Sequence, residues 1–420
     1  MCAGACGRPL SSLIAKRESE AATVSCARLS SGGPFLRALS AVLCFLLWSP
    51  AAEARTWRVE KDGSGDFTVI QHAVDASASG DTIMIGPGRY SEYTDHTYAG
   101  NLWHIYVHIL SGSVTLIGVG EGDTVIGPES PGTWESWEYA AGVSYWPAIA
   151  SDSLAIEHLS VEDVVHGVYA QSGTIAVSNC TIRRTKLGIW IYTPGAVRAC
   201  RFEGIYGTGV VASSPSHDVT VTQCELRDTI SAFYFGGVAN VAVRENNVMG
   251  CQSVGFLDQS SGSVVRNSLS VTIGDGLIVY GPGSYAIADN VFDGGTANIY
   301  FGLGASNAIC ERNVFRGSRD TAIEIATCTP RITNNDIFKD RGYAVALGGF
   351  GQAPDRFVNM SGNYWGTASR DSISAWIMDA NDPADPPYSP EHGFVIFEPF
   401  SSVPVPTQKK SLGGVKALYR

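Results

Sequence analysis

The chain has 420 residues, of which 47 are glycine, 45% are hydrophobic and only 16% are charged. This much apolar material excludes an intrinsically disordered chain, and glycine without a period of three excludes collagen. A formal net charge of −11 argues against a surface that follows nucleic-acid phosphates. Abundant Gly, Val, Ile and Thr instead predict many short strands joined by tight turns.

Residues 1–54 have the pattern of a secretory signal peptide with a long basic n-region. The apolar run Ala38–Trp48 is followed by Pro50, and Ala52-Glu53-Ala54 offers a cleavage site before Arg55. A transmembrane helix needs about 20 residues to span a bilayer, and this apolar run is shorter than that. The alternative to a signal peptide is that the run forms a buried core helix. We expect cleavage between Ala54 and Arg55 and a secreted, periplasmic or cell-surface protein with no membrane span in the mature chain.

The segment that follows predicts a cap and the first strands of the fold. Apolar residues at positions 67, 70, 73 and 74 have helical spacing, which predicts a short capping helix over Phe67–Ser77. Thr82–Ile85, His104–Ile109 and Ser113–Ile117 read as strands. The aromatic segment Trp134–Trp146 interrupts the regular pattern and is predicted to be a long loop.

From Ile156 to Trp365 one short pattern recurs about every 22 residues: an apolar residue, two spacers, Asn or Cys, one spacer, and an apolar residue. A period of this length, with alternating strands and no helix, predicts one coil of a parallel β-solenoid per repeat, with neighbouring coils about 4.8 Å apart. We therefore predict an all-β, right-handed parallel β-helix of about 12 coils, over residues 55–400, with an N-terminal capping helix.

The central residue of each repeat predicts a ladder inside the solenoid, because stacked side-chain amides can hydrogen-bond from coil to coil. The predicted ladder residues are Cys180, Cys200, Cys224, Asn246, Asn267, Asn290, Asn313, Asn335 and Asn363. The three cysteines are either buried free thiols or partners in a disulfide between neighbouring coils. The chain has no C-x-x-C motif, so we expect no metal or organic cofactor, and calcium is left open.

A second column of each repeat places one side chain on the outside of a strand. Four of these side chains are aromatic and are candidates for substrate binding: Tyr169, Trp190, Tyr234 and Tyr300. The same alignment places Leu257 outside and makes Glu324 the lone acid of the column, a weak catalytic candidate; Glu135 and Glu138 are further acids on the predicted loop. The aromatic column fits a ligand groove, a surface covered by the loop, or a contact between subunits.

The repeat ends after Trp365. Ser372–Asp379 is predicted to form a short amphipathic helix, and Phe394–Phe397 a closing strand. Residues 401–420 carry basic residues without a core pattern and are predicted to be a flexible tail.

Several motifs carry a resemblance to a known superfamily. Asp62-Gly-Ser-Gly-Asp-Phe67, Gly80-Asp81-Thr82-Ile83 and Pro87-Gly88 resemble the opening of pectin methylesterases and of the wider pectin-lyase-like right-handed parallel β-helix superfamily. Asn363-Tyr-Trp-Gly-Thr367 looks like the closing element of secreted bacterial β-helix repeat proteins. The resemblance implies this fold for residues 56–400. It does not imply an activity, because the catalytic motifs of the esterases, polygalacturonases and calcium-dependent pectate lyases have no match in the chain.

Two functions from different classes fit these observations. The first is a secreted β-helix protein that binds an extracellular polysaccharide or cell-surface glycan and processes it by lyase, esterase, epimerase or hydrolase chemistry. The second is a non-catalytic surface scaffold or adhesion protein. No nucleic-acid partner is expected, and the oligomeric state is left open.

Overall fold

The computed structural model describes residues 53–130, 139–349, 357–381 and 393–405. Three parallel sheets, A, B and C, run along a solenoid, and each regular coil contributes one strand to each sheet in that order. Strands of neighbouring coils pair in register. The all-β solenoid of about 12 coils that the repeat predicts is confirmed.

Sheet A is the longest uninterrupted parallel sheet. It comprises β1 (Thr56–Val59), β2 (Thr82–Ile85), β6 (Val114–Gly118), β9 (Ser153–Glu157), β12 (Thr174–Ser178), β15 (Gly195–Arg198), β18 (Asp218–Thr222), β21 (Asn240–Arg244), β24 (Gly262–Val265), β27 (Tyr285–Ala288), β30 (Ile309–Glu311) and β33 (Arg331–Thr333).

Sheet B is built from the shortest strands. It comprises β3 (Gly88–Tyr90), β7 (Thr124–Ile126), β10 (Ser160–Glu162), β13 (Thr181–Arg183), β16 (Arg201–Glu203), β19 (Glu225–Arg227), β22 (Asn247–Cys251), β25 (Ser268–Val271), β28 (Val291–Gly294), β31 (Val314–Arg316) and β34 (Asp336–Ile337).

Sheet C begins with an antiparallel hairpin and is otherwise parallel. It comprises β4 (Thr94–Tyr98), β5 (Asn101–Ile109), β8 (Ala140–Tyr145), β11 (His166–Ala170), β14 (Leu187–Ile191), β17 (Thr208–Ser213), β20 (Ser231–Gly236), β23 (Ser253–Asp258), β26 (Leu277–Tyr280), β29 (Ala297–Phe301), β32 (Thr321–Ile325), β35 (Tyr343–Leu347) and β37 (Ile377–Met378).

One hydrophobic core fills the inside of the solenoid. Inward side chains from all three sheets are fully buried, as Val197, Phe202 and Val210 are within a single coil. Equivalent residues of neighbouring coils stack on one another, and the rings of Phe292 and Phe315 are 5.0 Å apart. A single coil could not bury these side chains on both sides, so the stack is the folding unit.

The bend between sheets A and B carries the ladder. The residue before each ladder position has a left-handed backbone, for example Asn334 with φ of 57°. Each ladder asparagine from Asn267 onward then accepts two hydrogen bonds from its predecessor: Asn267 donates to Asn290 Oδ1 from its backbone nitrogen and its side-chain amide, both at 2.9 Å. The same pattern joins Asn246, Asn267, Asn290, Asn313, Asn335 and Asn363 in one column.

Cysteines occupy the ladder in the three preceding coils. The thiols of Cys180, Cys200 and Cys224 are buried, and each contacts the carbonyl oxygen two residues before it at 3.2–3.3 Å. The backbone nitrogen of Cys224 donates to Asn246 Oδ1 at 2.9 Å, which connects the two parts of the ladder. All six cysteines of the described chain are free, so the disulfide alternative is not realised in this structure.

Both ends of the solenoid are covered. Helix α1 (Ile70–Ala76) packs on the first coil and buries Ile70 and Ala73. It begins later than the predicted Phe67, because the backbone of Phe67 is held by hydrogen bonds to Arg58 and Glu60 at 3.1 and 2.8 Å.

At the C-terminal end the predicted helix over 372–379 is corrected to α2 (Arg370–Ala375). Ser369 caps its start, and the residues after it form β37, which pairs with β35 and so leaves the helical conformation. The closing strand β38 (Phe394–Ile396) pairs with β36 (Phe357–Asn359).

The predicted tail and signal peptide fall largely outside the described residues. Within the predicted tail, Ser401 donates from its backbone nitrogen to Asn363 O at 2.9 Å, and Val405 donates to Asp336 Oδ1 at 2.7 Å. Positions 406–420 and 1–52, with the signal peptide, lie outside the described ranges. Within those ranges no helix is both long enough and apolar enough to cross a membrane.

Asn290 provides a test of the ladder. Because it is fully buried and accepts two hydrogen bonds, Asn290→Ala should lower the free energy of unfolding by about 2–4 kcal/mol through lost bonds and unsatisfied donors. The matched control is Asn307→Ala, an exposed asparagine that should change it by less than ~0.5 kcal/mol. Chemical denaturation followed by circular dichroism measures both, and equal effects of the two substitutions would contradict the ladder's role.

Candidate functional site

The outer face of sheet C carries the aromatic column. The strand registers place these residues one behind another along the solenoid: His108, Ser144, Tyr169, Trp190, Val211, Tyr234, Phe256, Ile278, Tyr300, Glu324 and Ala346. We call this set the middle column. Successive members are about 4.8 Å apart at their backbones. The four predicted aromatic residues and Glu324 therefore do share one column.

One position of the sequence alignment was wrong. Leu257 points into the core and is 2% exposed, and Phe256 takes the outward position opposite Tyr234. The cause is Gly255, which pairs with Phe233 and not with Ala232. A Cβ on Gly255 would lie 1.9 Å from the carbonyl oxygen of Phe233, so only glycine fits at this position. A shift of one residue moves every side chain of a strand to the other face.

The first coils of the middle column are covered by the hairpin of β4 and β5. The ring of Trp103 lies 5.4 Å from those of both Tyr169 and His166. The ring of Tyr98 lies 4.9 Å from that of Trp146, and its hydroxyl is 2.6 Å from His108 Nε2. We call Tyr98 and Trp103 the hairpin wall.

Trp190 stands at the edge of the covered part. Its ring contacts those of His166, Tyr169 and Tyr192 at 5.4, 5.6 and 5.2 Å. Tyr169 is thus held under the hairpin wall, whereas Trp190 is the first aromatic residue beyond it along the column.

Beyond Val211 the outer face of sheet C carries aromatic rings that, within the described residues, do not contact the rings of the hairpin. The rings of Tyr234 and Phe256 are 6.3 Å apart, and those of Tyr280 and Tyr300 are 5.6 Å apart. All four side chains are partly exposed. Tyr280 lies two residues after Ile278, on the same face, and pairs with Asp258. We call these four residues the open aromatic face; sequence reasoning missed Phe256 and Tyr280, although strict alternation within each strand signals both.

Glu324 lies directly next to this face, because it pairs with Tyr300 of the preceding coil. Partial burial, followed by the charges of Asp275 and Asp320, raises the pKa of its carboxyl group. Burial and a hydrogen bond with Tyr280 raise the pKa of Tyr300 to about 12. A raised pKa widens the pH range in which a carboxyl carries the proton that a general acid donates.

Two buried histidines contact the hairpin wall: His108 contacts Tyr98, and His166 contacts Trp103. Burial, and then the neighbouring His96, lowers the pKa of His108 to about 4. Burial, and then Lys186, lowers the pKa of His166 to about 4. Both rings are therefore neutral near pH 7, which suits their packing against aromatic side chains.

A buried ion cluster lies at the bend between sheets B and C of the early coils. The fully buried Glu162 accepts from Arg89 and Arg184 at 2.9 and 2.8 Å and also pairs with Arg183. Asp163 accepts from Arg184 at 2.8 Å. Because these charges satisfy one another, the cluster serves packing between coils. Sequence reasoning missed it, since Arg89 and Glu162 are 73 residues apart in the chain.

The other predicted acids, Glu135 and Glu138, lie outside the described residues. In the ranges that are described, no three side chains of His, Cys, Asp or Glu are grouped so as to hold a metal ion.

Comparison with known proteins agrees with the sheet topology. The family model described as "Right handed beta helix region" matches residues 231–364. The chain has the right-handed parallel β-helix fold. The resemblance of its sequence motifs to the pectin-lyase-like superfamily is thereby confirmed at the level of the fold. Comparison with curated protein sequences gives no match.

Solved structures of carbohydrate-active proteins are similar to this β-helix at low sequence identity. The mannuronan C-5 epimerase AlgE6 A-module of Azotobacter vinelandii is 14% identical, with a TM-score of 0.46 over 70% of this chain and 81% of that one. An exopolygalacturonase from Thermotoga maritima is 12% identical, with a TM-score of 0.35 over 69% and 80%. XylC in complex with xylose is 11% identical, with a TM-score of 0.43 over 69% and 86%.

The raised pKa of Glu324 predicts how stability depends on pH. Folding raises the pKa of Glu324 above its ordinary value of 4.5. The contribution of Glu324 to the stability of the folded chain is therefore fully present below pH 4.5 and is lost as the pH rises through the raised pKa. Glu324→Gln cannot ionise and should gain stability relative to the parent protein across that pH window. The exposed Glu203→Gln is the matched control. Thermal melting from pH 4 to pH 8 (about the range that brackets both forms) measures the difference, and a flat difference for Glu324→Gln would contradict the assignment.

Proposed function

We propose that this β-helix binds an extended polysaccharide along the outer face of sheet C. The observation that carries the proposal is the open aromatic face, whose partly exposed rings follow the solenoid at steps of about one coil. A pyranose unit repeats on a comparable length, so successive sugars can stack on successive rings. Each stacked ring contributes about 1 kcal/mol, as aromatic pairs do.

The charges on this face favour a neutral glycan. Asp258 pairs with Tyr280, Glu324 pairs with Tyr300, and Asp275 and Asp320 are near enough to raise the pKa of Glu324. These carboxylates would repel a uronate chain, and the formal net charge of −11 adds to that repulsion.

Glu324 is the proton donor in the proposed reaction, the hydrolysis of a glycosidic bond. Its protonated carboxyl would give its proton to the leaving oxygen, and a second carboxylate, Asp275 or Asp320, would take a proton from the attacking water. A carboxyl whose pKa is raised beside other carboxyl groups is the arrangement this chemistry needs. Tyr300, next to it in register, would hold the sugar whose bond is cleaved.

We also propose that the chain is exported. Its candidate ligands are extracellular polysaccharides, and the basic n-region, apolar run and Ala52-Glu53-Ala54 motif support export.

The experiment is affinity electrophoresis through gels that contain laminarin, galactan, β-xylan or dextran. The parent protein should be retarded by at least one of them. Tyr234→Ala/Tyr300→Ala should weaken that binding by about 2 kcal/mol in total, while Phe357→Ala, an exposed aromatic residue remote from sheet C, should leave it unchanged. Retardation by none of the four glycans would favour the non-catalytic scaffold.

The catalytic part is tested separately on the retained glycan. Glu324→Gln should bind the glycan as the parent protein does and release no new reducing ends. Equal cleavage by the parent protein and this variant would remove Glu324 from the reaction.

A further inference from the structure

The middle column is covered at its N-terminal end by the hairpin of β4 and β5, and Trp190 and Val211 lie between that hairpin and the open aromatic face. Trp103 packs over Tyr169 and His166 with ring distances of 5.4 Å. Tyr98 packs over Trp146 at 4.9 Å and holds His108 by the 2.6 Å contact of its hydroxyl. The hairpin wall therefore covers both the middle column and the row beside it at the end of each strand.

The space left under the wall is too small for a sugar. The cleft between the wall and the sheet encloses about 10 Å³ and is lined by Tyr98, Trp103, Ile105, Ser144, Trp146 and Tyr169. This is about the space that one water molecule needs. A chain that follows the column from Glu324 toward the N-terminal coils must stop in front of Trp103.

Polar groups without partners lie beside that stopping point. The Nδ1 atom of His166 and the Nε1 atom of Trp190 are buried and have no hydrogen-bond partner within the described residues. His166 itself is 6% exposed, and its ring is 5.4 Å from that of Trp190. Unpartnered buried nitrogen atoms are costly. A sugar hydroxyl group can accept a hydrogen bond from the indole N–H of Trp190, and it can donate to or accept from His166 Nδ1 according to the tautomer of the ring.

We infer that the protein recognises the terminus of a neutral polysaccharide chain, with the terminal sugar on Trp190 against the hairpin wall and the chain running over the open aromatic face toward Glu324. This inference rests on the proposed function. It adds that binding requires a chain end at Trp190, so a stretch of polymer that continues in both directions is not bound.

The test uses the neutral glycan that retards the protein, in long fractions and in fractions cut to about a tenth of that length. At equal mass the short fraction has about tenfold more ends, so the dissociation constant per mass of sugar should fall about tenfold, which is ~1.4 kcal/mol. An unchanged constant would mean that internal stretches bind, which overturns the terminus and leaves the proposed function standing.

A variant of the wall makes the test specific. Trp103→Ala removes the ring over Tyr169 and should abolish the dependence on chain length, because the polymer can then continue past Trp190. Leu102→Ala, a substitution of an exposed neighbour in the same hairpin, should keep that dependence. If Trp103→Ala retains the dependence on chain length, the polymer ends somewhere other than at Trp103, and the assignment is overturned. If this variant does not fold, the binding of the long and short glycan fractions by the parent protein decides the question.

Discussion

The parallel pairing of each coil with the next is the constraint on which the rest of this structure depends. It places every side chain about 4.8 Å from its equivalent in the neighbouring coil. An apolar residue that recurs at one inward position of each coil thus forms the core. An asparagine that recurs at the bend forms the ladder, and an aromatic residue that recurs at an outward position forms a row of rings. The ladder fixes the register because a slipped asparagine would leave buried donors unsatisfied, as those of Asn267 would be without Asn290.

The sequence predicts the parts of the fold that repeat. The solenoid, its number of coils and the common column of Tyr169, Trp190, Tyr234, Tyr300 and Glu324 all follow from the period of about 22 residues. The alignment of coils on a small residue failed at Leu257, because Gly255 pairs with Phe233 and not with Ala232. Only glycine fits at position 255, where a Cβ would lie 1.9 Å from the carbonyl oxygen of Phe233.

Features that occur once could not be predicted from a repeat. Strand β4 pairs antiparallel with β5 at the end of sheet C, and its segment has no counterpart in later coils. Its polar sequence gives little sign that Tyr98 will lie over the sheet. The ion cluster around Glu162 was hidden for another reason: Arg89 reaches it from a coil 73 residues earlier. In both cases the partners meet only after the coils have stacked, and this is why the sequence showed the aromatic column without showing which part of it is open.

The central claim is that the open aromatic face holds a polysaccharide, and side-chain footprinting with hydroxyl radicals tests it most directly. With a retained glycan present, the account predicts slower oxidation of Tyr234, Phe256, Tyr280 and Tyr300, and an unchanged rate for the exposed Phe357 at the C-terminal end. Unchanged oxidation of those four residues in a mixture where the protein is bound would show that the glycan lies elsewhere and would contradict the account.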